Sequence, residues 1–150
     1  MFAFRKIIRI ALAVVSMNVL AACASGPTFK ETRASELAVA PGLTRIYFYR
    51  VDTMAGVGFQ LNISIDGVPI GSMLPGGYFY EDKPPGSYEI STTRLGQKDS
   101  TKITVKQGET RYIRFDLVIG FFGGHLIPTP VSTELGKSEI ANSKFDKVAP

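Results

Sequence analysis

From Leu43 onward apolar residues recur at every second position, and this spacing constrains the chain more than any other feature of it. Side chains alternate across a strand, so a period of two buries one face and leaves the other to water, whereas a helix would need a repeat near 3.6. Leu61, Ile63 and Ile65 alternate with Asn62, Ser64 and Asp66. Asp66-Gly67 then supplies a two-residue hairpin signal that returns the chain into Val68, Ile70 and Leu74. Tyr88, Ile90 and Thr92 make a further run, followed by Ile103 and Val105 and by Ile113, Phe115 and Leu117. A turn at Gln107-Gly108 is expected to join the last two runs as an antiparallel pair. The segment TRIYFYRV, from Thr44 to Val51, is apolar on both faces, which suits a strand in the middle of a sheet. With a short strand at Tyr78 to Tyr80, the pattern predicts an all-β fold, an antiparallel β-sandwich of about seven strands. One short C-terminal helix is expected to open at Ser132 and end near Asn142.

The first 22 residues obey different rules. Arg5, Lys6 and Arg9 precede an apolar run from Ile10 to Ala22, which is the plan of a secretory signal and falls short of the roughly 20 residues a membrane-spanning helix needs. The formal charge of the whole chain, +4, would suggest a polyanionic partner, but these three cations have no acid beside them. Without them 14 cations face 13 acids, a formal +1, and no nucleic-acid partner is expected. The single cysteine, Cys23, rules out an intrachain disulfide or a multi-cysteine metal site.

The signal ends Leu20-Ala21-Ala22-Cys23, which closely resembles the lipobox of bacterial lipoproteins. The resemblance implies that Leu20, Ala21 and Ala22 are the signal peptidase recognition residues and that Cys23 is the lipid attachment site. In that family the thiol is alkylated with diacylglycerol, the chain is cut before the cysteine, and the new amino group is acylated. Ordinary cleavage after Ala24 would also satisfy a small-x-small rule and would discard the cysteine. Two or three acyl chains anchor a protein stably, each buried methylene contributing about 0.8 kcal/mol. Ala24 in place of an aspartate implies, by resemblance to enteric lipoproteins, the outer membrane facing the periplasm. The expected organisation is a signal peptide over 1–22, a lipidated N-terminus and solvated tether over 23–42, and a β-sandwich domain over 43–150.

TRIYFYR, IDGVPIGSML, YFYEDKPPGSYEIS and TVKQGETRYIRF together resemble an uncharacterised β-domain of bacterial envelope lipoproteins. That domain is similar in turn to PEGA-type modules, small β-sandwiches related in shape to transthyretin. The resemblance covers Thr44 to Phe115 and implies a fold and a compartment, but no activity.

No pattern for catalysis stands out. His125 is the only histidine, so a metal site would need carboxylate partners, and no cofactor is expected. Asp116, His125 and Ser132 form a triad only on paper, since no serine lies in GxSxG. Glu81 and Asp82 are neighbours that a strand sends to opposite faces, unsuited to converging on one bond. Gly56-Val57-Gly58 precedes a strand rather than the helix a phosphate site requires. Lys98, Lys102, Lys106, Arg111 and Arg114 crowd two runs expected to be adjacent, as a polar outer face or a contact for anionic headgroups and glycan phosphates. LVIGFFGGHLI, from Leu117 to Ile127, is expected as a loop folded over a sheet edge. Its Phe121 and Phe122 are the candidate partner contact, one ring buried and the other partly exposed. The functional expectation is a membrane-anchored, non-catalytic binding or structural module with an envelope protein or glycan partner. The alternative is a cell-wall polymer hydrolase or its accessory subunit.

Overall fold

The computed structural model describes residues 24, 26–33, 36, 38–53, 62–94, 96–120 and 123–149. Its centre is β1 (Thr44–Tyr49), every residue of which is buried. Ile46 and Phe48 point into one core and Tyr47 and Tyr49 into another, so the doubly apolar segment is central, as its sequence predicts. On one side β1 pairs antiparallel with β4 (Gly77–Lys83), from Thr44 opposite Lys83 to Tyr49 opposite Tyr78. On the other it pairs parallel with β7 (Thr110–Gly120), from Arg45 opposite Thr110 to Tyr49 opposite Arg114. β8 (Gly123–Val131) and β9 (Lys144–Phe145) complete a five-stranded sheet in the order β8-β7-β1-β4-β9. Pro128 and Pro130 lie in β8, an edge strand, where a missing amide donor is tolerated.

A second sheet has the order β3-β2-β5-β6, from β2 (Ile63–Ile65), β3 (Val68–Gly71), β5 (Gly86–Arg94) and β6 (Gln97–Val105). Asp66 and Gly67 turn β2 into β3 with φ of 50° and 79°. Two positive φ values in a two-residue turn match the right-handed twist of the strands they join, which is why Asp-Gly signals a hairpin. Ile63, Ile65, Ile90, Ile103 and Val105 of this sheet meet Ile46, Phe48, Phe79, Ile113 and Phe115 of the first. Each fully buried large apolar side chain contributes about 1.5–3 kcal/mol.

The outer face of the five-stranded sheet carries the second, aromatic core. It is covered by α1 (Phe29–Thr32) and α2 (Thr133–Ile140). Phe29 stands edge-on to Tyr47 and Tyr78, with ring centres 5.5 and 5.4 Å away, and Ile140 closes the other end. Ser132 caps α2 by accepting from the Leu135 amide. At Gly136 a Cβ atom would stand 2.3 Å from Tyr112 Cγ, so the helix rests directly on that ring.

The all-β class, the two-sheet sandwich and the C-terminal helix agree with the sequence pattern, and three local expectations do not. The Gln107-Gly108 turn does not close a hairpin, because β6 pairs with β5 and β7 pairs with β1 and β8, in different sheets. Ile103 and Val105 therefore face Ile113 and Phe115 across the sandwich, an arrangement with the same period of two as a hairpin. The stretch from Leu117 to Ile127 is not a loop over an edge. It forms the β7–β8 hairpin, with Val118 opposite His125 and Gly120 opposite Gly123. Finally, part of the segment expected as a solvated tether is packed, since Phe29 is 4% exposed.

Candidate functional site

Leu20, Ala21, Ala22 and Cys23 lie outside the described residues, as do Phe121, Phe122 and the Gly56-Val57-Gly58 segment. The structure places their flanks. Downstream of Cys23, Gly26–Thr28 run antiparallel beside β9, with Thr28 opposite Lys144 and the Phe145 amide donating to the Pro27 carbonyl at 2.8 Å. The Phe29 amide donates to the Ser143 carbonyl at 2.8 Å, and Thr28 and Glu31 cap α1 reciprocally. A Cβ on Gly26 would lie 2.0 Å from the Phe145 carbonyl oxygen, so only glycine permits this approach. Beside the phenylalanine pair, Val118 and Ile119 are 41% and 74% exposed at the end of β7.

The residues examined for chemistry are dispersed. His125 Nδ1 lies 2.8 Å from Asp99 Oδ2 of β6, while Asp116 accepts from Arg114 and Ser132 caps α2, so the paper triad does not assemble. Together with the Thr92 hydroxyl, which donates to the Leu126 carbonyl at 2.6 Å, and Arg94, which donates to the Gly124 carbonyl, the His125–Asp99 pair fastens β8 to the second sheet. Glu81 and Asp82 take separate cations, Lys147 and Arg45. The five basic residues are divided between the sheets: Lys98 and Lys102 lie on β6 and Lys106 just beyond it, whereas Arg111 and Arg114 belong to β7, with Arg111 reaching across to donate to the Thr104 carbonyl of β6 at 3.1 Å. Among the described residues no three His, Cys, Asp or Glu side chains converge as metal ligands, and no helix is long and apolar enough to cross a membrane. Among the described residues, hollows of about 230 Å³ beside the start of β1, 260 Å³ beside Arg50 and 310 Å³ beside Tyr88 open to the surface.

What the sequence reading missed is the polar rim of the aromatic core. The Tyr47 hydroxyl donates to Glu36 Oε2 at 2.6 Å, and Arg45 bridges that carboxylate to Asp82. The Tyr49 hydroxyl donates to Glu139 Oε2 at 2.6 Å, and Arg114 holds the same carboxylate. The available signal was the pair of tyrosines at alternate positions of a segment apolar on both faces, whose hydroxyls need partners once buried. Burial first, and then the carboxylate each hydroxyl meets, raises Tyr47 and Tyr49 well above the ordinary phenol range. Burial likewise raises Tyr78 and Tyr112. The Tyr47 and Tyr49 phenols are therefore neutral donors in a structural network. An unfolded tyrosine ionises near pH 10. A raised folded value means that the stabilisation is fully present below that pH and is lost as pH rises through the folded values. The urea midpoint is expected to fall between pH 9 and pH 11 by more than in the Tyr49→Phe variant, and equal falls would contradict this account.

These features define a two-sheet β-sandwich with one sheet roofed by short helices. A family model described as a protein of unknown function, DUF2846, matches residues 41–125, more than half of the chain. The chain belongs to that family. No curated protein and no solved structure matches it.

Proposed function

We propose that the chain is a lipid-anchored protein of the bacterial cell envelope, held in the outer membrane and facing the periplasm, whose sandwich is a non-catalytic binding or structural module. The observation that carries this reading is the Leu20-Ala21-Ala22-Cys23 motif at the end of a short, basic-fronted apolar run. Its position supports the reading further: Ala24, the residue after the cysteine, is already 3% exposed, and the chain runs beside β9 from Gly26. A PEGA-like module is the finer kinship proposed for the sandwich, resting on the Asp-Gly hairpin and the Pro-Gly turn followed by an aromatic strand. The contact proposed for an envelope protein or glycan partner is the tip of the β7–β8 hairpin, Phe121 and Phe122 with Val118 and Ile119 beside them.

The test is processing and acylation. Cys23→Ser is expected to yield an uncleaved precursor or a soluble product, while the wild-type mature protein carries acyl chains on its first residue by mass spectrometry. Wild-type protein that is soluble and begins at Ser25 would defeat the anchor. In the acylated protein, a photocrosslinker at Ile119 is expected to trap an envelope component that the Phe121→Ala/Phe122→Ala variant does not. Identical crosslinks from both would remove the tip as the contact.

A further inference from the structure

We infer that the edge of the sandwich formed by β9 and residues 146–148 lies against phospholipid headgroups when the chain is anchored. The inference rests on acylation at Cys23, and it concerns how the domain is oriented rather than whether it is anchored.

Little chain lies between the acylated cysteine and the sandwich, since Ala24 is already 3% exposed. The strap, Gly26–Thr28 together with α1, is fixed to β9 by backbone contacts from Gly26 onward. Gly26 lies three positions after Cys23, and fully extended those three steps span about 11 Å at most. The headgroup layer on each side of a bilayer is itself roughly 5–8 Å deep. A cysteine held at that layer therefore cannot let the domain float clear of it. Direction follows from register: the strap is antiparallel to β9, with Thr28 opposite Lys144, so the chain upstream of Gly26 heads toward the level of residues 147 and 148.

The surface met there suits an interface. Phe145 is 38% and Val148 39% exposed, with Lys144 exposed beside them and Lys147, paired with Glu81, at the same edge. Aromatic rings flanked by lysines sit at the membrane–water boundary, with the apolar part against lipid and the ammonium at the phosphates. The opposite geometry holds for the β7–β8 tip. β9 and β8 are the two outer strands of the five-stranded sheet, four strand spacings or about 19 Å apart. β7 moreover continues six residues past Arg114, the last of its residues paired with β1. The β9 edge thus faces the lipid and the tip is directed away from it.

The experiment uses the mature acylated protein in vesicles of phosphatidylethanolamine and phosphatidylglycerol containing a nitroxide-headgroup lipid. Acylation turns the only native thiol into a thioether, so a fluorophore can be placed on Val148→Cys, Lys102→Cys or Ile119→Cys alone. Quenching is expected to be severalfold stronger at Val148→Cys than at the other two positions, and to fall to their level when a long Gly-Ser linker is inserted after Ala24. Equal quenching at all three positions, or strongest quenching at Ile119→Cys, would overturn the orientation while leaving the anchor intact. Absence of acyl chains from the N-terminal peptide would take down the anchor and the orientation together.

Discussion

Replacing Gly136 by alanine is expected to lower the melting temperature by about 5–10 °C for a domain of this size. On helix propensity alone the change should help, since alanine is favoured over glycine by about 1 kcal/mol in a helix interior. Sterics decide otherwise. The new methyl group would stand 2.3 Å from Tyr112 Cγ, 2.5 Å from its Cβ and 2.7 Å from its Cδ1, and the Cβ is fixed by the backbone, so no rotamer change can withdraw it. Tyr112 is itself 3% exposed and stacks on Tyr47 at 5.2 Å, so the ring has nowhere to move. α2 must lift from the sheet, and overpacking of this kind costs about 1–3 kcal/mol or more. The lift would also loosen Glu139 from Tyr49 and Arg114. A thermal melt that is unchanged or raised would mean that α2 does not rest on Tyr112.

Phe29→Ala is expected to destabilise the domain by about 3 kcal/mol, the lower end of the range for buried phenylalanine truncations. The ring is 4% exposed and makes edge-to-face contacts with two tyrosines, which add to its area burial. The loss stays near the lower end because α1 has only four residues and one buried anchor. A helix that short does not persist alone, so the strap undocks as a unit and the cavity does not survive. A chain beginning at Pro41 should for the same reason lose as much stability as the point variant in urea titration. If the shortened chain matched the full mature chain in stability, the strap would be an ornament and the folding unit would begin at Leu43 after all.

The difference between what was legible and what was not lies in the range over which each feature is determined. The Asp66-Gly67 hairpin is written in two adjacent residues, and the central place of β1 in six consecutive buried ones, so both could be read locally. The partner of β6 could not. Period two states which side chains of a strand are buried but not which sheet it joins, and the Gln107-Gly108 turn has the same chemistry whether it closes a hairpin or crosses the sandwich. Phe29 is a lone aromatic in a polar stretch, and its burial is decided by the gap between Tyr47 and Tyr78, on strands that begin more than a dozen residues later. The β7–β8 hairpin was hidden by glycine and proline, which read as loop signals until β8 is known to be an edge strand. Of the candidate site, the lipobox is legible because its four residues are contiguous. The carboxylates beneath the tyrosine hydroxyls were not, because Glu139 meets Tyr49 from 90 residues away.

The parallel pairing of β1 with β7 has a consequence for the order in which the molecule can assemble. Arg45 and Thr110 are partners 65 positions apart, and closing a loop of that length costs roughly 4 kcal/mol in chain entropy before any contact across it is gained. The β2–β3, β5–β6 and β7–β8 hairpins can zip up without that closure, since each pairs neighbours in the chain. The first sheet cannot. Its middle strand waits for β7, and its last ladder waits for residue 145, so the centre of the molecule forms late and the edge clasped by both ends of the folded chain forms last. Such an order keeps the chain open and threadable for most of its length, and it makes the final few residues the latch that commits the sandwich to its closed state.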